Sequence, residues 1–65
     1  MIVYLNARYG RSVETIDEFD SSDHNNNLKE FFDYVKKMAH EYRIAGIPVY
    51  RSSRSTKEWR NGNEN

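Results

Sequence analysis

Apolar residues recur at steps of three and four through residues 27–43, where Leu28, Phe31, Phe32, Val35, Met38, Ala39 and Tyr42 fall on one stripe. At about 100° per residue that stripe covers roughly 120° of an amphipathic helix, which needs a flat apolar surface to lie on. Asn27 followed by Glu30 is close to a capping box and sets the helix start. Gly46, suited to the C′ position, and Pro48, which cannot continue a helix, set its end.

The remaining apolar positions alternate rather than recur. From Ile2 to Arg8, Val3, Leu5 and Ala7 take one side and Ile2, Tyr4, Asn6 and Arg8 the other, the pattern of a half-buried strand. Gly10 can supply the positive φ of a tight hairpin, so the chain is expected to reverse between Arg8 and Arg11. Residues 12–19 read as a second strand, with Val13 and Thr15 assigned to the helix side and Glu14, Ile16 and Glu18 to the other. That phase cannot persist to Phe19, so a bulge or an early end of pairing is expected near Asp17. Residues 47–54 form the third strand, with Pro48 where a missing amide is tolerated. Ser55 and Glu58 have capping-box spacing for one turn that would deliver Trp59 onto the body.

These elements predict an α+β domain, ββαβ. A three-stranded antiparallel sheet in the order 2-1-3 is covered by the helix on one face. Residues 1–60 make the single domain and 61–65 a disordered tail. The polar loop from Asp20 to Asn27 consists of residues that hydrogen-bond their own backbone. The uncovered face would carry Ile2, Tyr4, Asn6, Arg8, Glu14, Ile16, Tyr50, Ser52 and Arg54.

Composition changes this picture in two ways. Sixty-five residues without cysteine sit near the lower limit for a self-sufficient core, so a homodimer or a larger partner is expected to supply the missing burial. The absence of cysteine fits a reducing cytoplasm, and no apolar run suggests a membrane segment. The net charge is zero, yet residues 1–32 carry six acids against three bases and residues 33–65 seven bases against four acids. Glu14, Asp17, Glu18, Asp20 and Asp23 could therefore form an acidic surface, and Arg51, Arg54, Lys57 and Arg60 a basic one.

No catalytic signature stands out. His24 in its Asp/Ser-rich loop is the nearest thing to a catalytic or metal-binding residue, but such loops commonly contain a histidine, and no metal or cofactor is expected. The aromatic far face carries more information. Tyr4, Arg8, Tyr50, Arg54 and Trp59 are the candidate partner-binding residues, with three uses open to them. The segment around Trp59 can fold back over the face, a protein partner or second copy can cover it, or single-stranded nucleic acid can stack on it. The edges of the second and third strands are further routes to a partner, the third carrying fewer blocking charges.

The stretch Val13-Glu-Thr-Ile-Asp-Glu-Phe19, the helix end Glu41-Tyr-Arg43 and the stretch Tyr50-Arg-Ser-Ser-Arg-Ser-Thr-Lys-Glu-Trp59 resemble a group of very small uncharacterised proteins carried by bacteriophages, prophages and plasmids. The longer loop from Ser21 to Asn27 departs from that group. The resemblance implies a non-enzymatic binder that acts on a host or phage protein in the bacterial or phage-infected cytoplasm, and the function expected is that of an inhibitor or modulator of a host defence or nucleic-acid-processing protein. It assigns no functional residue. Single-stranded nucleic-acid binding through the far face and the basic C-terminal segment is the other function these residues suggest.

Overall fold

The computed structural model describes residues 1–56 and Trp59. The expected tail at 61–65, half of the turn expected from Ser55 to Glu58, and Lys57 and Arg60 of the expected basic surface lie outside the described residues. The chain runs through strand β1 (Ile2–Tyr9), strand β2 (Ser12–Asp20), a 3₁₀ turn (Ser21–His24), helix α1 (Leu28–Ile44) and strand β3 (Val49–Ser52). The sheet is antiparallel in the order β2-β1-β3, an α+β arrangement with the regular strand in the centre. No described helix is long and apolar enough to cross a membrane.

The hairpin turns one residue later than expected. Tyr9 pairs with Ser12, leaving Gly10 and Arg11 as the loop. Gly10 has φ +63°, a left-handed conformation that costs other L-residues about 1–2 kcal/mol. A two-residue loop also fixes parity. Odd residues of β1 must pair with even residues of β2, so Ala7 faces Glu14 and Asn6 faces Thr15. The expectation that Val13 and Thr15 join the helix side is therefore overturned. They lie on the far face, and Ile16 packs against the core instead.

The expected bulge is present at Ile16, the extra residue between the pairs Asn6–Thr15 and Leu5–Asp17. Beyond it, odd residues of β2 face odd residues of β1, which brings Phe19 opposite Val3 and under the helix. The core is Val3, Leu5, Ala7, Phe19, Phe31, Val35, Ala39 and Val49, with Ile16, Phe32, Met38, Tyr42 and Ile47 packed around it. Leu28, assigned to the stripe by its spacing, is 47 % exposed because the first helical turn overhangs the sheet.

The helix ends follow local chemistry. Asn27 Oδ1 accepts the Glu30 amide at 3.2 Å, satisfying one of the orphan donors of the first turn. At the other end Gly46, at φ +86°, donates to the Arg43 carbonyl and Ile47 to that of Tyr42, each at 3.0 Å. That pair of bonds is a Schellman motif, and it turns the chain into β3. On the outer face Asp33 pairs with Lys29 at 2.9 Å. The Asp20–Asn27 loop is closed by its own polar groups. Asp20 Oδ1 accepts from the Ser22 amide, which holds the Asp20 carboxyl below its ordinary pKa. Asn25 and Asn26 take left-handed conformations. Buried Ser21 ties the loop to the N-terminus, its amide donating to the Met1 carbonyl and its hydroxyl accepting from the Met1 amine.

Candidate functional site: a strapped face and a cationic cleft

The far face of the sheet is closed at its centre by the chain's own C-terminal segment. Arg8 donates its amide to the Pro48 carbonyl at 3.3 Å, so the even residues of β1 direct their backbone groups toward β3. By the antiparallel alternation, Asn6 and Thr15 are then a non-hydrogen-bonded pair, and the Thr15 amide points off the open edge of β2. Thr56 meets it there. The Thr15 amide donates to Thr56 Oγ1 at 3.3 Å, and the Thr56 amide donates to Thr15 Oγ1 at 2.8 Å.

Asn6 completes the arrangement. Its Oδ1 accepts from Thr15 Oγ1 at 2.7 Å, and its Nδ2 donates to the Arg54 carbonyl at 3.0 Å. Residues 54–56 thus form a strap across the face from β3 over β1 to β2. The two polar side chains beneath it are only 5 % (Asn6) and 8 % (Thr15) exposed. Every donor and acceptor needed to keep them buried is supplied locally. Trp59 continues the strap along β2, its Nε1 lying 3.4 Å from Glu18 Oε1.

The expected partner-binding residues are divided by this strap. Tyr4, opposite Ser52 on β3 and Glu18 on β2, lies on one side of it with Trp59. Arg8 and Tyr50, the latter 37 % exposed, lie toward the hairpin on the other. Arg54 is part of the strap itself. Tyr4 and Tyr50 share the face, but they do not form the continuous aromatic platform that their spacing suggested.

The acidic segment is divided between the two faces of β2 and the turn that follows it. Glu18 is on the far face, whereas Glu14 and Asp17 point to the helix side and Asp20 caps the 3₁₀ turn. Asp17 is occupied: its Oδ2 accepts from the Tyr42 hydroxyl at 2.7 Å and its Oδ1 from the Glu18 amide at 2.8 Å. Glu14 and Asp23 remain exposed. Asp17, Glu18, Asp20 and Asp23 nevertheless border one shallow depression of about 270 Å³ together with His24 and Tyr34, and Glu14 lies apart from it. His24 lies against the rings of Phe31 and Tyr34, with centroids at 5.8 and 5.0 Å, and Tyr34 in turn meets Phe19 edge-on at 5.7 Å. Its position is that of an aromatic packing residue.

The bond to Asp17 pushes the Tyr42 hydroxyl up from its ordinary value to about 12, with burial and the Asp17 charge adding to the effect. The fold therefore favours the neutral phenol. The stabilisation is fully present below about pH 10, where the unfolded chain also keeps the proton, and is lost as pH rises toward 12. A spectrophotometric alkaline titration should show a late tyrosine phase that is absent from Tyr42→Phe. That variant should also lose about 1 kcal/mol at neutral pH. A late phase that survives in Tyr42→Phe would assign it elsewhere.

A second feature lies on the opposite side of β3. Between this strand and α1 is a cleft of about 380 Å³. Leu5, Phe32, Val35 and Ala39 line it with apolar surface, and Lys36, Arg43 and Arg51 supply positive charge. Asp33 also borders it, but its carboxylate is already paired with Lys29. Arg51 holds its guanidinium 5.1 Å from the centre of the Phe32 ring, and Arg43 Nη2 donates to the Val49 carbonyl at 3.0 Å. The sequence pattern alone does not single out this cleft. Its signal was present, because residues 32, 36, 39 and 43 lie along one flank of the helix, and Arg51 shares the parity of buried Val49.

Comparison with protein-family models, curated proteins and solved structures finds no match to this chain.

Proposed function

We propose that this chain is a small non-enzymatic protein-binding module, acting in the cytoplasm as a mobile-element inhibitor or modulator of a host defence or nucleic-acid-processing protein. The observation that carries this reading is the asymmetry of the two sheet edges. The β2 edge is engaged at Thr15 by Thr56, whereas the β3 edge borders an apolar-floored, cationic cleft. Natural sheets guard their edges, and an edge left beside a shaped groove is a route to another chain. Nucleic-acid binding through the far face has less support. The strap interrupts the surface on which bases would stack, and Glu18 lies opposite Tyr4.

On this reading the working unit is a monomer, in place of the homodimer expected from the small core. The strap already covers the centre of the far face, and pairing two β3 edges about a two-fold axis would bring the positive charges of the two clefts together. Sedimentation at micromolar concentration is expected to return the mass of one chain. The binding function is tested by capture from a bacterial lysate with tagged protein. A specific protein should be retained by the wild type and by a Lys37→Ala variant on the outer helix face, but lost from an Arg8→Glu, Tyr50→Ala, Arg51→Glu variant that still folds. Recovery of nuclease-sensitive material alone would replace this function with nucleic-acid binding.

A further inference from the structure

We infer that β3 and the adjoining cleft dock an extended acidic segment of a partner protein, which adds to the sheet as a fourth strand. This rests on the protein-binding reading and specifies its partner. The argument begins with the direction of the backbone groups. Because the even residues of β1 face β3, the pairs Asn6–Tyr50 and Tyr4–Ser52 are the bonded ones. The backbone groups of Val49 and Arg51 then point off the edge. Both groups of Val49 are occupied, its carbonyl by Arg43 and its amide by the Ile47 carbonyl at 2.9 Å, which leaves Arg51 to present an amide and a carbonyl outward.

So short an edge supplies few ladder bonds, and side chains must provide most of the affinity and all of the selectivity. The cleft is positioned to do this. Arg51 pairs with Leu5, so its side chain is on the helix side, and an added strand would place alternate side chains next to the cleft. Phe32, partly exposed above the buried Val35 and Ala39, offers those side chains an apolar contact. Lys36, Arg43 and Arg51 offer three positive charges, and among the described residues none of the three is in an ion pair. Carboxylates on the incoming strand would complete Arg43 and Arg51 with the fork geometry that guanidinium groups favour.

Charge complementarity also selects the occupant. A second copy presenting β3 brings like charges together. A second copy presenting β2 must first release Thr56 from the Thr15 edge. A different chain, with acidic and apolar residues sharing one face of an extended segment, meets neither obstacle.

The probe is a short synthetic peptide repeating Asp-Thr-Leu-Thr, which places Asp and Leu on one face when extended. Titrated into the ¹⁵N-labelled chain, it should shift the amides of Val49, Arg51 and Ser53 and protect Arg51 from hydrogen exchange. Arg51→Glu should weaken binding at least about tenfold, Arg51→Lys less, and His40→Gln, an exposed helix position outside the cleft lining, not at all. Replacing Asp by Lys should abolish the effect, as should N-methylating two consecutive central amides, one of which faces β3 in either strand direction. Equal binding of the Lys peptide, or shifts confined to Tyr4, Arg8 and Tyr50, would overturn the inference. Should the lysate partner be lost with Arg8→Glu, Tyr50→Ala but kept by Arg51→Glu, the protein-binding reading stands and the acidic-strand inference falls.

Discussion

Phe31→Ala is expected to leave the chain at the edge of unfolding. Phe31 is fully buried where α1 crosses the sheet, in contact with the rings of Phe32 and His24. Truncating a buried Phe removes its transfer free energy and leaves a cavity, together roughly 3–5 kcal/mol. A domain of 65 residues has in total only roughly 3–10 kcal/mol, at the usual 0.05–0.15 per residue. Urea denaturation followed by circular dichroism should therefore show a midpoint lowered by roughly 2–4 M, or no folded baseline. Leu28→Ala is the matched control. Both residues lie on the same periodic stripe, but Leu28 is half-exposed, and its truncation should change stability by less than about 1 kcal/mol. Equal losses at the two positions would show that the helix is not seated as described.

The second large effect concerns the polar centre of the far face. Asn6→Ala deprives Thr15 Oγ1 of its acceptor and the Arg54 carbonyl of its donor, while Thr56 still holds the site closed. Leaving such groups buried and unpaired should cost roughly 2–3 kcal/mol. Thr15→Val removes the hydroxyl that accepts from Thr56, so its effect should fall first on the strap. Trp59 is the only tryptophan in the chain, and its emission reports on the strap while circular dichroism reports on the sheet and helix. In Thr15→Val the fluorescence transition should move to lower urea than the circular dichroism transition. In the wild type the two should coincide. The double variant should lose less than the sum of the singles, because both act on one network. Additive losses would mean that Asn6 and Thr15 act independently of the strap.

The architecture was legible because its signals are periodic. A helical stripe, one cleanly alternating strand and a Gly-Pro stop define ββαβ and its strand order. The facing of β2 was misread where two signals disagreed. Hydrophobicity favoured Val13 and Thr15 on the core side, whereas a two-residue turn requires odd residues of β1 to meet even residues of β2. Turn arithmetic prevails because hydrogen-bond registration acts on every residue of the ladder, and a single Val or Thr contributes little burial by comparison. The strap was less legible. Its anchors are Asn, two Thr residues and a backbone carbonyl, and side-chain to backbone bonds between residues 41 or 48 positions apart leave no pattern in the sequence. The cleft was readable in principle. Arg43 and Lys36 looked like solvated helix residues until β3 was placed beside them with Arg51 turned toward the same groove.

The bulge at Ile16 also bears on how this strand tolerates change. On its hairpin side Glu14 faces the helix layer, and on its far side so do Asp17 and Phe19. Removing Ile16 would therefore leave Glu14, Asp17 and Phe19 in an uninterrupted alternation, with Thr15 and Glu18 still on the other face. Strand length and side-chain facing are uncoupled at this one position. An insertion or deletion there spares the neighbouring side chains from being turned over, which makes it a joint at which homologous chains can differ in length while keeping the same core.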